Sequence, residues 1–429
     1  MKPALLLGTA KIDITPQKPV PLAGFDGRQG NFLGILHPLY ARIFFFQQHC
    51  PRGNKRTALL VSADIIWWDT ELTGRIKRWL HQRFGMEASS VLLHATHTHS
   101  APQTSRRFTP SLGKWDDDYL RLLEARLLEG IEQASSHMDP VSVERGTGEC
   151  RIGVHRRKWV GGEMKMAPNE QEPVDPEVNV IRFCTVKGKT KALLVHYTCH
   201  PTTTEDNYVS SEFPGVAMER VEHALGEGGV AAFLQGCCGD VRPALIREGN
   251  FYRGNDSDVR RFGKILADEV LSVLQKTMRP LDSCGLVSRK TEILLPFQYL
   301  PKEHDLKKHK YDPSVLGEWS RLLLEEPARM KPGIRLEMAL IRLAQGLSLL
   351  AMNGEIVTGY GLFIKREFDG SVLPVPYSNG MIGYVPTAKQ VEEGGYEGKE
   401  SFYYFGLPAP FHPSLETIIC RAILDLGKE

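Results

Sequence analysis

The chain has 429 residues, 42% of them hydrophobic and 9% aromatic, enough to bury a sizeable core in one large domain or in two or three average ones. With 53 Lys and Arg against 51 Asp and Glu, it carries no overall field that would draw it to nucleic acid or to an anionic membrane. No run approaches the roughly 20 apolar residues of a membrane span, so no transmembrane segment is expected.

The N-terminal run Met1-Lys2-Pro3-Ala4-Leu5-Leu6-Leu7-Gly8 has one positive charge and too short an apolar stretch for a signal peptide, which predicts a cytoplasmic protein. The eight cysteines are scattered, and the close pair Cys237-Cys238 has no CxxC spacing; they read as mostly buried thiols of a reducing compartment.

In chain order, apolar runs bounded by turn or polar residues predict buried strands at 41–47 and 57–63. A helix follows over 70–84, where Leu72, Ile76, Trp79, Leu80 and Phe84 share a face and Gly85 stops it. After a strand at 91–94, the clearest helix spans 118–135, with Leu120, Leu123, Leu127 and Ile131 at helical spacing. A strand at 192–198 precedes a helix opening on Pro214 and running to 225, before Gly226. A further strand at 230–234 and a helix over 256–275 follow.

The segment 298–331, rich in charge and proline, reads as an insertion or a boundary; Lys307-Lys308-His309-Lys310 within it reads as solvated loop charge. Alternation of Ile334, Leu336, Met338 and Leu340 predicts a strand with one buried face, turning at Gln345-Gly346 and returning over 347–352 to deliver Glu355 at a strand end. No internal repeat interrupts this order. The class is therefore α/β, with mixed β-sheets flanked by helices, read as one large catalytic domain over 1–429.

His94, His97 and His99 crowd six residues directly after the apolar run 91–93. If the extended conformation continues, His97 and His99 point to one face and address the same small space, and neutral imidazole is the commonest protein ligand for zinc. Satisfied core or surface histidines are the plain alternative. The metallo-β-lactamase pattern needs Asp-His after the pair, where this chain has Ser100-Ala101-Pro102, and the barrel amidohydrolases need a βα repeat that is not visible. His200, after the strand at 192–198, stands where sites collect in α/β folds, though a lone histidine there is more often structural.

Read in order, Gly8-Thr9-Ala10-Lys11-Ile12-Asp13-Ile14-Thr15-Pro16, Thr96-His97-Thr98-His99-Ser100-Ala101-Pro102, His155-Arg156-Arg157, His200-Pro201-Thr202, Gly239-Asp240-Val241-Arg242-Pro243, Gly354-Glu355, Ser378-Asn379-Gly380-Met381-Ile382-Gly383-Tyr384 and Gly395-Tyr396-Glu397-Gly398 resemble the neutral, non-lysosomal ceramidase family over nearly the whole chain. The resemblance implies one zinc ion per chain held by His97, His200, Glu355 and Tyr384, with His99, Arg156 and Tyr396 around the reacting carbonyl. It implies a zinc-dependent hydrolase that cleaves an N-acyl (amide) bond of a small-molecule substrate. By themselves, Glu355 also reads as a solvated turn carboxylate and Tyr384 as a core aromatic. An esterase or lactonase on the same site, and a non-catalytic ligand-binding homologue, are the rival readings.

The chain departs from the family pattern in several places. Arg242 replaces the serine of Gly-Asp-Val-Ser-Pro, which removes a serine nucleophile and makes a zinc-activated water the expected mechanism. Arg242 also favours an acidic or polar substrate, unless it points to an internal carboxylate such as Asp240. His155 stands in place of an asparagine and Glu212 near a usual aspartate, changes expected to alter substrate contacts. The chain is expected to lack the C-terminal immunoglobulin-like domain of full-length ceramidases, which leaves ceramide as only one candidate substrate. Asp64, after the strand at 57–63, either lines the site or caps the next turn. Oligomeric state has no signature in the sequence.

Overall fold

The apolar runs of the first half of the chain become the inner strands of a curled, nine-stranded mixed sheet. The structure, a computed structural model, describes residues 4–49 and 55–428; Met1 to Pro3 of the N-terminal run and Cys50 lie outside them. The strands are β1 (Leu5–Asp13), β2 (Tyr40–His49), β3 (Lys55–Ala63), β4 (Val91–Ala95), β5 (Met138–Glu149), β6 (Gly153–Val160), β7 (Glu163–Asn169), β8 (Glu177–Thr185), β9 (Thr190–Tyr197), β10 (Val230–Gln235) and β11 (Val241–Pro243). The main sheet runs β10-β9-β8-β5-β1-β2-β3-β4, with Arg279–Leu281 added beside β5. Its outermost pairs, β3 with β4 and β9 with β10, are parallel and the rest antiparallel.

These strands read as continuous apolar runs because both faces of the sheet are covered. On one face, Ile43, Phe45, Leu59, Val61 and Leu93 pack against helices α1 (Thr70–Phe84) and α2 (Asp117–Ser136). The alternate residues Phe44, Phe46, Leu60 and Leu92 pack against a second sheet built from Val287–Pro296, Gly333–Ala344, Leu347–Met352 and Val372–Val375. Helices α3 (Glu212–Leu225) and α4 (Asp256–Gln275) cover β8, β9 and β10 through Phe213, Val221, Phe262 and Leu266. Helices Thr358–Glu367 and Leu415–Gly427 close the outer face of the second sheet with Ile364, Ile419 and Ile423.

Local chemistry sets the helix ends. Asp69 accepts from the N–H groups of Glu71 and Leu72 to start α1, and Gly85 ends it in the left-handed conformation at φ 63°. Asn255 and Asp258 form a capping box at the start of α4. Helix α3 opens at Glu212, two residues before Pro214, so the proline sits inside the first turn, where its missing N–H leaves no intrahelical bond unmade. Close approach also matters: a Cβ on Gly8 of β1 would lie 1.7 Å from the Ala134 carbonyl oxygen of α2, so only glycine lets that helix settle on the sheet.

The segment 298–331 forms helices Glu303–His309 and Val315–Glu325, whose Leu306, Trp319 and Leu323 enter the same core as α1 and α2. Lys307 to His309 belong to the last turn of the first of these helices, where basic groups suit the helix dipole, rather than to a loop. The sheet curls until its two ends meet, with the Gln235 N–H of β10 donating to His94 Nε2 of β4 at 2.9 Å and Ser62 Oγ of β3 to the Phe233 carbonyl at 2.6 Å. That closure brings the chain leaving β4 beside the chain leaving β9 and β10.

Candidate metal centre

The strand β4 ends at Ala95, so the extended continuation expected through His99 does not occur. Thr96 and His97 donate their N–H groups to the carbonyls of Ala63 and Ile65, which draws the chain over the end of β3 and forces His97 to φ 68°. A left-handed histidine is a strained residue held by its surroundings, a condition that concentrates at functional sites. The convergence anticipated for the pair is achieved by this turn: His97 Nε2 and His99 Nε2 lie 3.2 Å apart.

His200 arrives from the end of β9, with its N–H on the Val241 carbonyl at 3.2 Å. Glu355 and Tyr384 are neighbours because the short strands Glu355–Ile356 and Tyr384–Val385 pair in parallel with these two residues as partners. His200 Nε2 is 3.1 Å from His97 Nε2, and Glu355 Oε1 is 2.8 Å from His200 Nε2 and 3.2 Å from His97 Nε2. All four groups are buried, Glu355 at 1% exposure.

The tautomers follow from the second nitrogen of each ring. Nδ1 of His97, His99 and His200 lies 2.8, 3.0 and 2.7 Å from the carbonyl oxygens of Ile66, Gly24 and Cys238. A carbonyl only accepts, so each Nδ1 carries the proton and each Nε2 presents a lone pair. Burial, with the positive Arg156 nearby, pushes His200 down to about 4 against the pull of Glu355, and burial with the facing imidazoles holds His99 well below the usual histidine range. Three lone pairs and a carboxylate thus converge, the imidazole ligand atoms all lying within 4.8 Å of one another. Such a donor set is repulsive unless a cation fills it, and imidazoles oriented through Nδ1–H on a carbonyl are the usual supports of a metal site.

Arg156, on β6, reaches the same place. Its Nε donates to Glu397 at 2.7 Å and its Nη2 to the Tyr384 hydroxyl at 2.9 Å, and its guanidinium lies over the rings of Tyr384 and Tyr396 at 5.6 and 5.8 Å. Although burial works against the charge, Tyr384 and Glu397 outweigh it and hold Arg156 in the protonated form. Burial, and with it Glu355, raises both phenols, while Arg156 opposes the rise.

The structure therefore brings His97, His99, His200, Glu355, Tyr384, Arg156 and Tyr396 to one place and leaves other sequence candidates outside it. His94 is a brace between the two ends of the main sheet, its Nδ1 donating to the Pro376 carbonyl at 3.0 Å. Asp64 neither lines the site nor caps a turn: it is buried against Arg42 Nη1 at 3.1 Å and the Tyr40 N–H at 3.0 Å. His155 and Glu212 spend their polar atoms on the protein, His155 facing Asp240 at 3.3 Å and Glu212 accepting the Thr203 N–H at 2.7 Å. Asp240 accepts from Thr358 and Gln390, joining β11 to the helices Thr358–Glu367 and Ala388–Glu393, and is not paired with Arg242.

Two contributors had no role assigned from the sequence, although Glu397 lies within the motif Gly395-Tyr396-Glu397-Gly398. Tyr377 stacks on His97 with ring centroids 4.2 Å apart, and Glu397, which also accepts from Arg157 Nη1 at 2.7 Å, orients Arg156. Cys237 and Cys238 are buried, as are Cys150, Cys184 and Cys199.

The layered helix–sheet–sheet–helix fold and its buried histidine–carboxylate cluster define the class: an α/β protein with a candidate metal centre at the strand ends. The profile described as neutral/alkaline non-lysosomal ceramidase, N-terminal, matches residues 5–258, and the chain belongs to this family. The neutral ceramidase of Pseudomonas aeruginosa is 24% identical over 308 residues, covering 66% of this chain and 45% of that protein. Neutral ceramidase B of Dictyostelium discoideum is 25% identical over 260 residues, covering 55% of this chain and 35% of that protein. The matched regions thus span less than half of either relative. The crystal structure of the Pseudomonas aeruginosa neutral ceramidase shares the fold at a TM-score of 0.77 and 18% identity, covering 99% of this chain and 74% of that one. A ceramidase structure in complex with C2 gives 0.76 at 19% identity, with 99% and 75% covered.

Proposed function

We propose that this chain is a zinc-dependent hydrolase of an N-acyl (amide) bond in a small molecule, with His97, His200, Glu355 and Tyr384 holding one zinc ion. The observation that carries the reading is the convergence of three Nε2 lone pairs, those of His97 and His200 facing Glu355, with each imidazole locked by a backbone carbonyl. Family membership supports amide chemistry, and ceramide, the substrate named in the relatives, is one candidate. Zinc in such a shell supplies Lewis acidity, polarising a carbonyl and making water a competent nucleophile near neutral pH.

The remaining side chains have distinct work. His99, neutral and aimed through Nε2 at the cluster, accepts a proton from the attacking water and returns it to the departing amine nitrogen. Arg156 stays charged and clamped by Glu397, so its guanidinium faces the oxygen that gains negative charge without reorganising. Tyr396 keeps its proton because burial raises its phenol, and so donates to the same oxygen.

The test is hydrolysis of a matched pair, an N-hexanoyl anilide and the corresponding phenyl ester, by the zinc-containing protein and by Glu355→Gln and Arg156→Ala. Glu355→Gln should lose both activities with its zinc. Arg156→Ala should keep its zinc and lose amide turnover by about 100-fold or more, the ester less, because the amide is the poorer electrophile. Full amidase activity in protein shown to be free of metal would sink the proposal.

A further inference from the structure

Arg242 lies on β11, beside the Val241 carbonyl that receives His200, and is 4% exposed. Its guanidinium sits over the Phe251 ring at 4.4 Å, and Nη1 is 3.9 Å from Met166 Sδ. Among the described residues, Nε and Nη2 have no hydrogen-bond partner. The carboxylate two residues away, Asp240, is taken by Thr358, Gln390 and His155. A buried cation with unfilled donors is a costly arrangement, and the fold keeps it beside the centre.

The neighbours make the region more positive still. Arg28 and Arg253 both stack on Phe25, at 4.9 and 4.7 Å, and the Phe25 ring is 5.0 Å from that of His99. Arg253 has Glu205 at 2.9 Å and Arg156 has Glu397, but among the described residues Arg28 donates only to the carbonyls of Ala23, His99 and Asp206. Burial and the positive Arg253 and Arg156 push Arg242 down to about 9, and burial pushes Arg28 down to about 10. A ligand that brings negative charge relieves both penalties at once.

We propose that the substrate of this centre is an N-acyl compound bearing a carboxylate away from the scissile amide, and that Arg242 binds this carboxylate. The two unfilled donors select the chemistry. Nε and Nη2 form one edge of the guanidinium, and two parallel N–H donors on one edge match the two oxygens of a carboxylate. The neutral carboxamide of the same molecule lacks both the charge and the second acceptor, so it cannot fill that edge. This assignment rests on the hydrolase reading for its substrate but not for its anion site, and the experiment separates the two.

Binding is measured by calorimetry with a non-scissile pair, N-(hexylsulfonyl)glycine and N-(hexylsulfonyl)glycinamide. Turnover is measured with N-hexanoylglycine and N-hexanoylglycinamide. The wild-type protein is compared with Arg242→Ser and Arg242→Lys, with zinc content and a melting curve taken for each. The wild type should favour the carboxylate by about 10- to 100-fold in Kd and in KM, the range expected for hydrogen bonds to a charged group. Arg242→Ser should level the pair, and Arg242→Lys, which keeps the charge and loses the fork, should retain part of the preference. Equal binding of both ligands by the wild type, or an undiminished preference in a folded Arg242→Ser, overturns the proposal even if amides are hydrolysed. Carboxylate-selective binding that Arg242→Ser abolishes, with no hydrolysis of either amide, upholds the anion site while the hydrolase reading fails.

Discussion

Removing the proposed zinc provides a quantitative test of the centre. A cation that binds the folded chain and not the unfolded one adds about 4 kcal/mol of stability when present at about a thousand times its Kd. Unfolding entropy of roughly 2.1 cal/mol/K per residue gives about 0.9 kcal/mol/K for 429 residues. Treatment with a strong chelator such as dipicolinate should then lower Tm by about 4 to 5 °C, reversed by stoichiometric zinc. In His97→Ala the Nε2 that lies 3.1 Å from His200 and 3.2 Å from Glu355 is gone, along with the stack on Tyr377. Elemental analysis should fall from about one zinc per chain to less than about a tenth, and the chelator should no longer move Tm. Differential scanning calorimetry beside elemental analysis reads both quantities. A wild-type Tm unchanged by chelation, or full zinc content in His97→Ala, would refute the reasoning.

Three further perturbations address neighbouring groups. Gly24 has φ 98°, and a Cβ there would lie 2.4 Å from His99 Nδ1, so Gly24→Ala should displace His99 and cut turnover by at least about tenfold; retained zinc supports a proton-transfer role for His99, while lost zinc would make it a ligand. Arg42 is buried among Asp64, Glu222 and Glu219 at 3.1, 2.9 and 2.8 Å, and Arg42→Met should cost about 3 to 5 kcal/mol in denaturant unfolding because it strands buried carboxylates; a loss below about 1 kcal/mol would contradict this. His94→Gln should keep its zinc but lose stability at pH 7.5. Burial lowers the folded His94 to about 3 from an unfolded value near 6.5, so its contribution is complete above about pH 6.5 and is lost as pH falls toward 3. The stability gap between wild type and His94→Gln should therefore narrow by about 1.4 kcal/mol per pH unit below 6.5, and a gap independent of pH would show that His94 is not held neutral.

Much of the framework was legible without a structure because burial leaves a local mark. The runs at 41–47, 57–63, 91–94, 192–198 and 230–234 are apolar on both faces since helices cover one side of their sheet and a second sheet or further helices the other. Helix α1 was readable to its ends because Gly85 acts locally, through a conformation that suits glycine. Helix α3 was placed two residues late, since its first turn depends on Glu212 accepting N–H groups from Thr203 and Phe213 rather than on helical periodicity.

The sequence by itself determined the strand and helix pattern, the crowding of histidines around the end of β4, and through its motif order the family. Only the tertiary structure decided which polar groups serve one another. His94 and His97 stand three residues apart, yet one braces the sheet and the other enters the cluster, because their partners come from Pro376 and Ile66. Glu355 and Tyr384 meet through a two-residue pairing, Asp64 is claimed by Arg42, and Asp240 is claimed by Thr358 while one edge of Arg242 has no partner among the described residues. The physical reason is range. Apolar periodicity reports each residue's own burial, whereas a hydrogen-bond partner or a shared ligand point is set by chain segments that folding alone brings together.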